Sequence, residues 1–66
     1  MNYNTIILEK KNGYAIVKLN RPREMNVICK EMRQELYRVF SELEVATEVR
    51  SIILTGGEYV FSAGMD

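Results

Sequence analysis

Two short segments hold the residue types best suited to chemistry. The first is Asn20-Arg21-Pro22-Arg23-Glu24-Met25-Asn26, and the second is Phe61-Ser62-Ala63-Gly64-Met65-Asp66. Small residues in the second segment let a ligand approach the main chain closely. Its backbone N–H groups are suited to face a developing negative charge. Taken alone, the commoner reading of such a segment is a glycine-containing turn that leads into a helix. Nucleophilic catalysis is poorly supported: Cys29 is the single cysteine, and the chain has no histidine to act as its base. The same two facts argue against a structural zinc site and against an internal disulfide.

The elements that must position these segments are legible from pattern. Residues 5–11 read as a strand, and Asn12-Gly13 suits a tight hairpin turn because both residues tolerate positive φ. Residues 14–20 read as the returning strand. Ala15, Val17 and Leu19 share one face; Tyr14, Ile16 and Lys18 share the other. Pro22 ends that strand because it lacks the N–H a ladder needs. Residues 20–28 are then a connecting loop.

From residue 30 to 46 the pattern is helical. Met32, Leu36, Val39, Phe40 and Leu43 recur at helical spacing and form the expected core stripe. Lys30, Glu31, Gln34, Arg38 and Glu42 form a solvated charged face, with Arg38 in reach of Glu35 or Glu42. The helix start is weakly marked, since Cys29 stands where Ser, Thr, Asp or Asn would be expected as a cap. Residues 51–55 form a short apolar run of the kind a buried parallel strand shows, and Gly56-Gly57 breaks it. The order is β-β-α-β, and both candidate segments follow strands. Open α/β sheets bind ligands at such places. Asn26 is expected to fix its loop by side-chain-to-backbone hydrogen bonds.

The order of the pieces carries more than any one of them. Asn20-Arg21-Pro22 is followed by Asn26, the amphipathic helix, Val49-Arg50-Ser51-Ile52-Ile53-Leu54-Thr55-Gly56, and Phe61-Ser62-Ala63-Gly64-Met65-Asp66. This succession resembles the crotonase superfamily of enoyl-CoA hydratases and isomerases from about Ile6 to Asp66. The resemblance implies an α/β fold, a β-β-α-β unit of a ClpP/crotonase-like spiral fold, as an incomplete domain. Residues 1–66 would be its N-terminal portion, ending within the first oxyanion-hole loop.

The resemblance also implies an acyl-CoA thioester as substrate, coenzyme A as part of that substrate with no tightly bound cofactor, and trimers or hexamers. Hydration of a 2-enoyl-CoA leads among the implied reactions, beside isomerisation, decarboxylation and thioester hydrolysis. The first oxyanion donor falls on the Met65 backbone N–H. Alanine is more usual there, so a long flexible thioether would line the acyl pocket. Arg23, Glu24 and Met25 match one coenzyme-contacting loop; Ala63, Gly64 and Asp66 match the other. Arg23 suits a CoA phosphate by its guanidinium and suits solvent equally well. The family's acid-base glutamates and second oxyanion donor match no residue here, so these 66 residues alone are expected to be inactive.

Composition bounds the alternatives. Nine Lys plus Arg balance nine Asp plus Glu, and no basic stripe supports nucleic-acid binding. The apolar runs fall far short of the ~20 residues needed to span a bilayer. A single cysteine fits a reducing cytoplasmic setting. A chain this short buries only roughly 60% of its unfolded surface. Self-association is expected through strand edges and the apolar run Ile52-Ile53-Leu54. The second reading, from a different class, is a non-catalytic self-associating module.

Overall fold

The computed structural model describes residues 3–57 and 61–64. Strand β1 (Ile6–Lys10) pairs antiparallel with β2 (Tyr14–Leu19), with Ile6 opposite Leu19 and Lys10 opposite Ala15. Gly13, at φ 91°, turns the chain between them, and the Lys11 N–H donates to the Tyr14 carbonyl at 2.8 Å. A 3-10 turn (Pro22–Glu24) and helix α1 (Lys30–Glu44) follow. Strand β3 (Ser51–Thr55) then returns parallel to β2, Ala15 beside Ile52 and Val17 beside Leu54. The Arg50 N–H donates to the Gly13 carbonyl at 2.9 Å, which fixes where β3 begins. The sheet order is β1-β2-β3.

The hairpin turns where Asn12-Gly13 predicts, and the helix is unbroken. It stops at Glu44, two residues short of the expected end. Val45 caps it, and the Ala46 N–H closes a tighter turn on the Leu43 carbonyl. Cys29 occupies the N-cap position in extended conformation and makes no side-chain cap bond.

The core is a single cluster of Ile6, Ala15, Val17 and Leu19 from the sheet and Met32, Val39 and Leu43 from α1. The expected alternation of β2 holds in full. The helical stripe differs from its expected form. Leu36 and Phe40 lie only partly buried at its edge, and Glu35 sits in it at 3% exposure. Glu35 forms no salt bridge with Arg38 among the described residues; its carboxylate is held instead by the N-terminal segment. Its Oε1 accepts the Thr5 N–H at 2.8 Å and the Thr5 hydroxyl at 2.7 Å, and its Oε2 accepts the Asn4 N–H at 2.8 Å. A buried carboxylate without such donors would be too costly to keep charged. Glu42 pairs with Lys10 at 3.2 Å and accepts the Tyr3 hydroxyl at 3.3 Å. The carboxylates of α1 therefore clamp the N-terminal strand.

β3 is parallel as predicted but is not buried. Ile52, Ile53 and Leu54 are 39%, 50% and 43% exposed. Helix α1 packs over β1 and β2, and β3 lies past its reach.

Candidate functional site

Loop 20–28 is built to hold a shape. Pro22 presets φ for the 3-10 turn, which closes when the Met25 N–H donates to the Pro22 carbonyl at 3.2 Å. Met25 and Asn26 then adopt φ of 53° and 54°. Asparagine tolerates that region, whereas methionine is strained there. The loop compensates with hydrogen bonds. The Arg21 N–H donates to Asn26 Oδ1 at 2.6 Å and the Asn26 N–H to the Arg21 carbonyl at 2.8 Å. Arg21 Nη1 donates to the Val27 carbonyl at 2.9 Å.

The structure then joins the two segments. Asn26 Nδ2 donates to the Gly56 carbonyl at 2.8 Å, tying the first loop to the end of β3. The Ser62 hydroxyl donates to the Asn26 carbonyl at 2.7 Å. The Ala63 N–H donates to the Met25 carbonyl and the Ile28 N–H to the Gly64 carbonyl, each at 2.9 Å. Asn26, only 2% exposed, is thus the hub, and its expected loop-fixing role is what the geometry shows. Gly56 makes the meeting possible: a Cβ there would overlap the Phe61 backbone.

The candidate binding residues divide accordingly. Arg23, Glu24 and Met25 are exposed on the 3-10 turn and the residue after it. Arg23 makes no salt bridge among the described residues. Ala63 and Gly64 are exposed beside them, but their N–H groups are engaged, with the Met25 carbonyl and with the Ser62 hydroxyl at 3.1 Å. Gly64 has φ 122°, and a Cβ added there would meet no protein atom. Met65 and Asp66 lie outside the described residues.

The hydrogen-bonding and packing roles of four residues escaped sequence reasoning: Arg21, Gly56, Ser62 and Glu35. Ser62 carried a detectable signal, a hydroxyl two residues before a glycine, which suits a local turn. A shallow depression elsewhere, lined by Lys30, Arg33, Gln34, Tyr37 and Arg38, is formed by exposed side chains of α1 alone. No group of His, Cys, Asp or Glu able to hold a metal occurs among the described residues, and none of their helices is long and apolar enough to cross a membrane.

A profile of the family described as enoyl-CoA hydratase/isomerase matches residues 9–66. The chain belongs to the enoyl-CoA hydratase/isomerase family. It is 42% identical over 67 residues to the short-chain-enoyl-CoA hydratase of Clostridium acetobutylicum, covering 100% of this chain and 26% of that protein. It is 37% identical over 68 residues to the mitochondrial enoyl-CoA hydratase of Pongo abelii, covering 98% of this chain and 23% of that protein. The crystal structure of an enoyl-CoA hydratase/isomerase from Mycobacterium paratuberculosis superposes with a TM-score of 0.94 at 31% identity, covering 98% of this chain and 26% of that one. The chain thus spans about a quarter of the relatives it matches. The β-β-α-β order read from the sequence is the family's fold over that quarter.

Proposed function

We propose that the chain forms the coenzyme-binding opening quarter of an acyl-CoA enzyme that hydrates a 2-enoyl-CoA thioester. The observation that carries the reading is the latching of two exposed loops into one surface by Asn26, Ser62 and the Met25–Ala63 pair. On that surface Arg23, Glu24 and Met25 would contact the nucleotide end of coenzyme A, with Arg23 facing a phosphate. Ala63, Gly64 and Asp66 would flank the adenine and the pantetheine arm. The Met65 backbone N–H would point at the thioester oxygen.

When water adds to the β-carbon of the enoyl thioester, electron density moves onto that oxygen and an enolate forms. A preorganised N–H stabilises the charge where it develops, and one such donor is worth about 2.7–4 kcal/mol of transition-state stabilisation. Protonation of the α-carbon completes the hydration. The groups that deliver and remove protons match no residue of this chain, so these 66 residues alone would not turn over substrate. Coenzyme A enters as part of the substrate, with no tightly held cofactor. The second reading is another of the family's reactions, isomerisation, decarboxylation or thioester hydrolysis, or a non-catalytic self-associating fragment. The proposal includes a homotrimer or hexamer and, from the single cysteine, a reducing cytoplasmic setting.

Gly64→Val in the enzyme that carries this chain should sharply weaken acyl-CoA binding. The new side chain would fill the open side of Gly64 and would strain a φ of 122°. Calorimetric titration with crotonyl-CoA should show affinity falling at least roughly 30-fold, about 2 kcal/mol. Unchanged affinity would remove these loops from the binding site.

A further inference from the structure

We infer, resting on the acyl-CoA reading above, that Ser62 is a positioning residue: its hydroxyl clamps Gly64 and so aims the backbone N–H that meets the thioester oxygen. Gly64 immediately precedes Met65, whose N–H that reading assigns to the oxygen. Glycine has the freest backbone of any residue, and Gly64 stands at φ 122°, where other side chains rarely go. A glycine at this place leaves the donor loosely aimed unless contacts outside its own backbone hold it.

Gly64 is held on both sides. Its N–H donates to Ser62 Oγ at 3.1 Å, which fixes the peptide plane before it. Its carbonyl accepts the Ile28 N–H at 2.9 Å, which fixes the plane after it. The φ and ψ of Gly64 are the rotations between those two planes, so the two bonds together set both. The Gly64 carbonyl and the Met65 N–H belong to one peptide unit, and in a trans unit they point opposite ways. Ile28 therefore decides the side on which the donor emerges, and Ser62 keeps the glycine from swinging about it.

Ser62 supplies the side-chain half of this clamp. Its single hydroxyl hydrogen goes to the Asn26 carbonyl at 2.7 Å, so its 3.4 Å approach to the Gly64 carbonyl is not a second bond. Asn26 is buried and bonded in turn to Arg21 and Gly56. The hydroxyl thus ties the Gly64 N–H to the best-held residue of the first loop. Alanine at residue 62 would keep the backbone bonds of Ala63 to Met25 and of Ile28 to Gly64, so the loops stay joined and the donor loses its aim.

Removing a whole oxyanion donor costs about 10²–10³ in kcat; releasing one of two anchors behind it should cost about 10-fold. The donor acts on charge that develops in the transition state, so kcat and kcat/KM should fall together. In the enzyme that carries this chain, Ser62→Ala should hydrate crotonyl-CoA with kcat about 10-fold lower and KM within about 2-fold of wild type. Ser62→Thr, which keeps the hydroxyl, should recover most of the loss. A second readout holds whichever reaction the enzyme performs. With butyryl-CoA isotope-labelled at its thioester carbonyl, the infrared carbonyl band of the bound ligand should lie lower on wild type than on Ser62→Ala, because a well-aimed donor weakens the carbonyl bond. Wild-type kinetics and an unshifted band in Ser62→Ala would overturn the inference, as would equal losses in Ser62→Ala and Ser62→Thr. Loss of butyryl-CoA binding in Ser62→Ala, or a raised KM at unchanged kcat, would make the hydroxyl a support of the binding loop and overturn it too. A wild-type enzyme that binds neither thioester would overturn the acyl-CoA reading itself, a result distinguished by appearing before any substitution is made.

Discussion

Gly56→Ala should detach residues 61–64 from the first loop while leaving the helix-and-sheet core folded. An added Cβ overlaps the Cα and carbonyl of Phe61. These are backbone atoms, which cannot step aside as a flexible side chain would. The 61–64 segment must therefore move away. Three contacts depend on its position: Ser62 to the Asn26 carbonyl, Ala63 to the Met25 carbonyl, and Ile28 to the Gly64 carbonyl. Overpacking costs about 1–3 kcal/mol, and each lost hydrogen bond adds about 1 kcal/mol. The local penalty is thus about 3 kcal/mol or more. Amide exchange should show the Ile28 and Ala63 N–H groups losing protection while those of Val39 and Leu43 keep it. Gly13→Ala is the control: alanine is disfavoured at its φ of 91°, but its Cβ meets nothing within 4 Å, so residues 61–64 should stay in place. Retained protection of Ile28 and Ala63 in Gly56→Ala would refute the steric coupling.

The second large effect lies where helix α1 holds the start of the N-terminal strand. Glu35→Ala should lower stability by about 2–4 kcal/mol, since two backbone N–H groups and a hydroxyl lose an ionised acceptor. A chain of this length has only about 3–10 kcal/mol in total, so the variant should be largely unfolded or lose its N-terminal strand.

Wild-type stability should depend on pH through the same group. Burial alone would raise the Glu35 carboxyl, but the hydrogen bonds from Asn4 and Thr5 outweigh it and hold it below the usual carboxylate value. Glu42 shifts the same way, chiefly through its hydrogen bond from Lys10. A lowered native pKa means the unfolded chain takes up protons first as acid is added. The stabilisation is therefore complete above the ordinary glutamate range and is lost as pH falls below about 4.3 through the native value. Urea denaturation from about pH 7 to pH 3 should show the midpoint falling in that acid window. Glu35→Gln, which cannot ionise, should flatten most of the decline. An equally steep decline in Glu35→Gln would assign the acid sensitivity elsewhere.

How far the sequence reached is clearest at particular residues. The hairpin was legible because Asn12-Gly13 and the alternation of β2 are local signals that agree with the burial of Ala15, Val17 and Leu19. The helix was legible from spacing, with its end set by weak turns after Leu43. Glu35 was not. Its spacing to Arg38 offered a sufficient surface explanation, and its true partners, Asn4 and Thr5, are about thirty residues away in sequence. The site divides in the same way. That Asn26 would hydrogen-bond to backbone was readable from its residue type and loop. That it reaches Gly56, and that Ser62 reaches back to it, depends on β3 lying beside β2. Pattern alone does not set that register. The exposure of β3 had a similar cause: an apolar run reports the need for a cover, and α1 ends its coverage at β2.

The central claim is that the latched loops hold a CoA thioester with its oxygen at the Met65 backbone N–H. A crystal structure of the enzyme carrying this chain, bound to a non-reactive acyl-CoA thioester analogue, tests it most directly. The account predicts the thioester oxygen about 2.7–3.1 Å from the Met65 nitrogen, with the coenzyme lying along residues 23–25 and 63–64. A thioester oxygen held by other donors, with the coenzyme away from both loops, would contradict it.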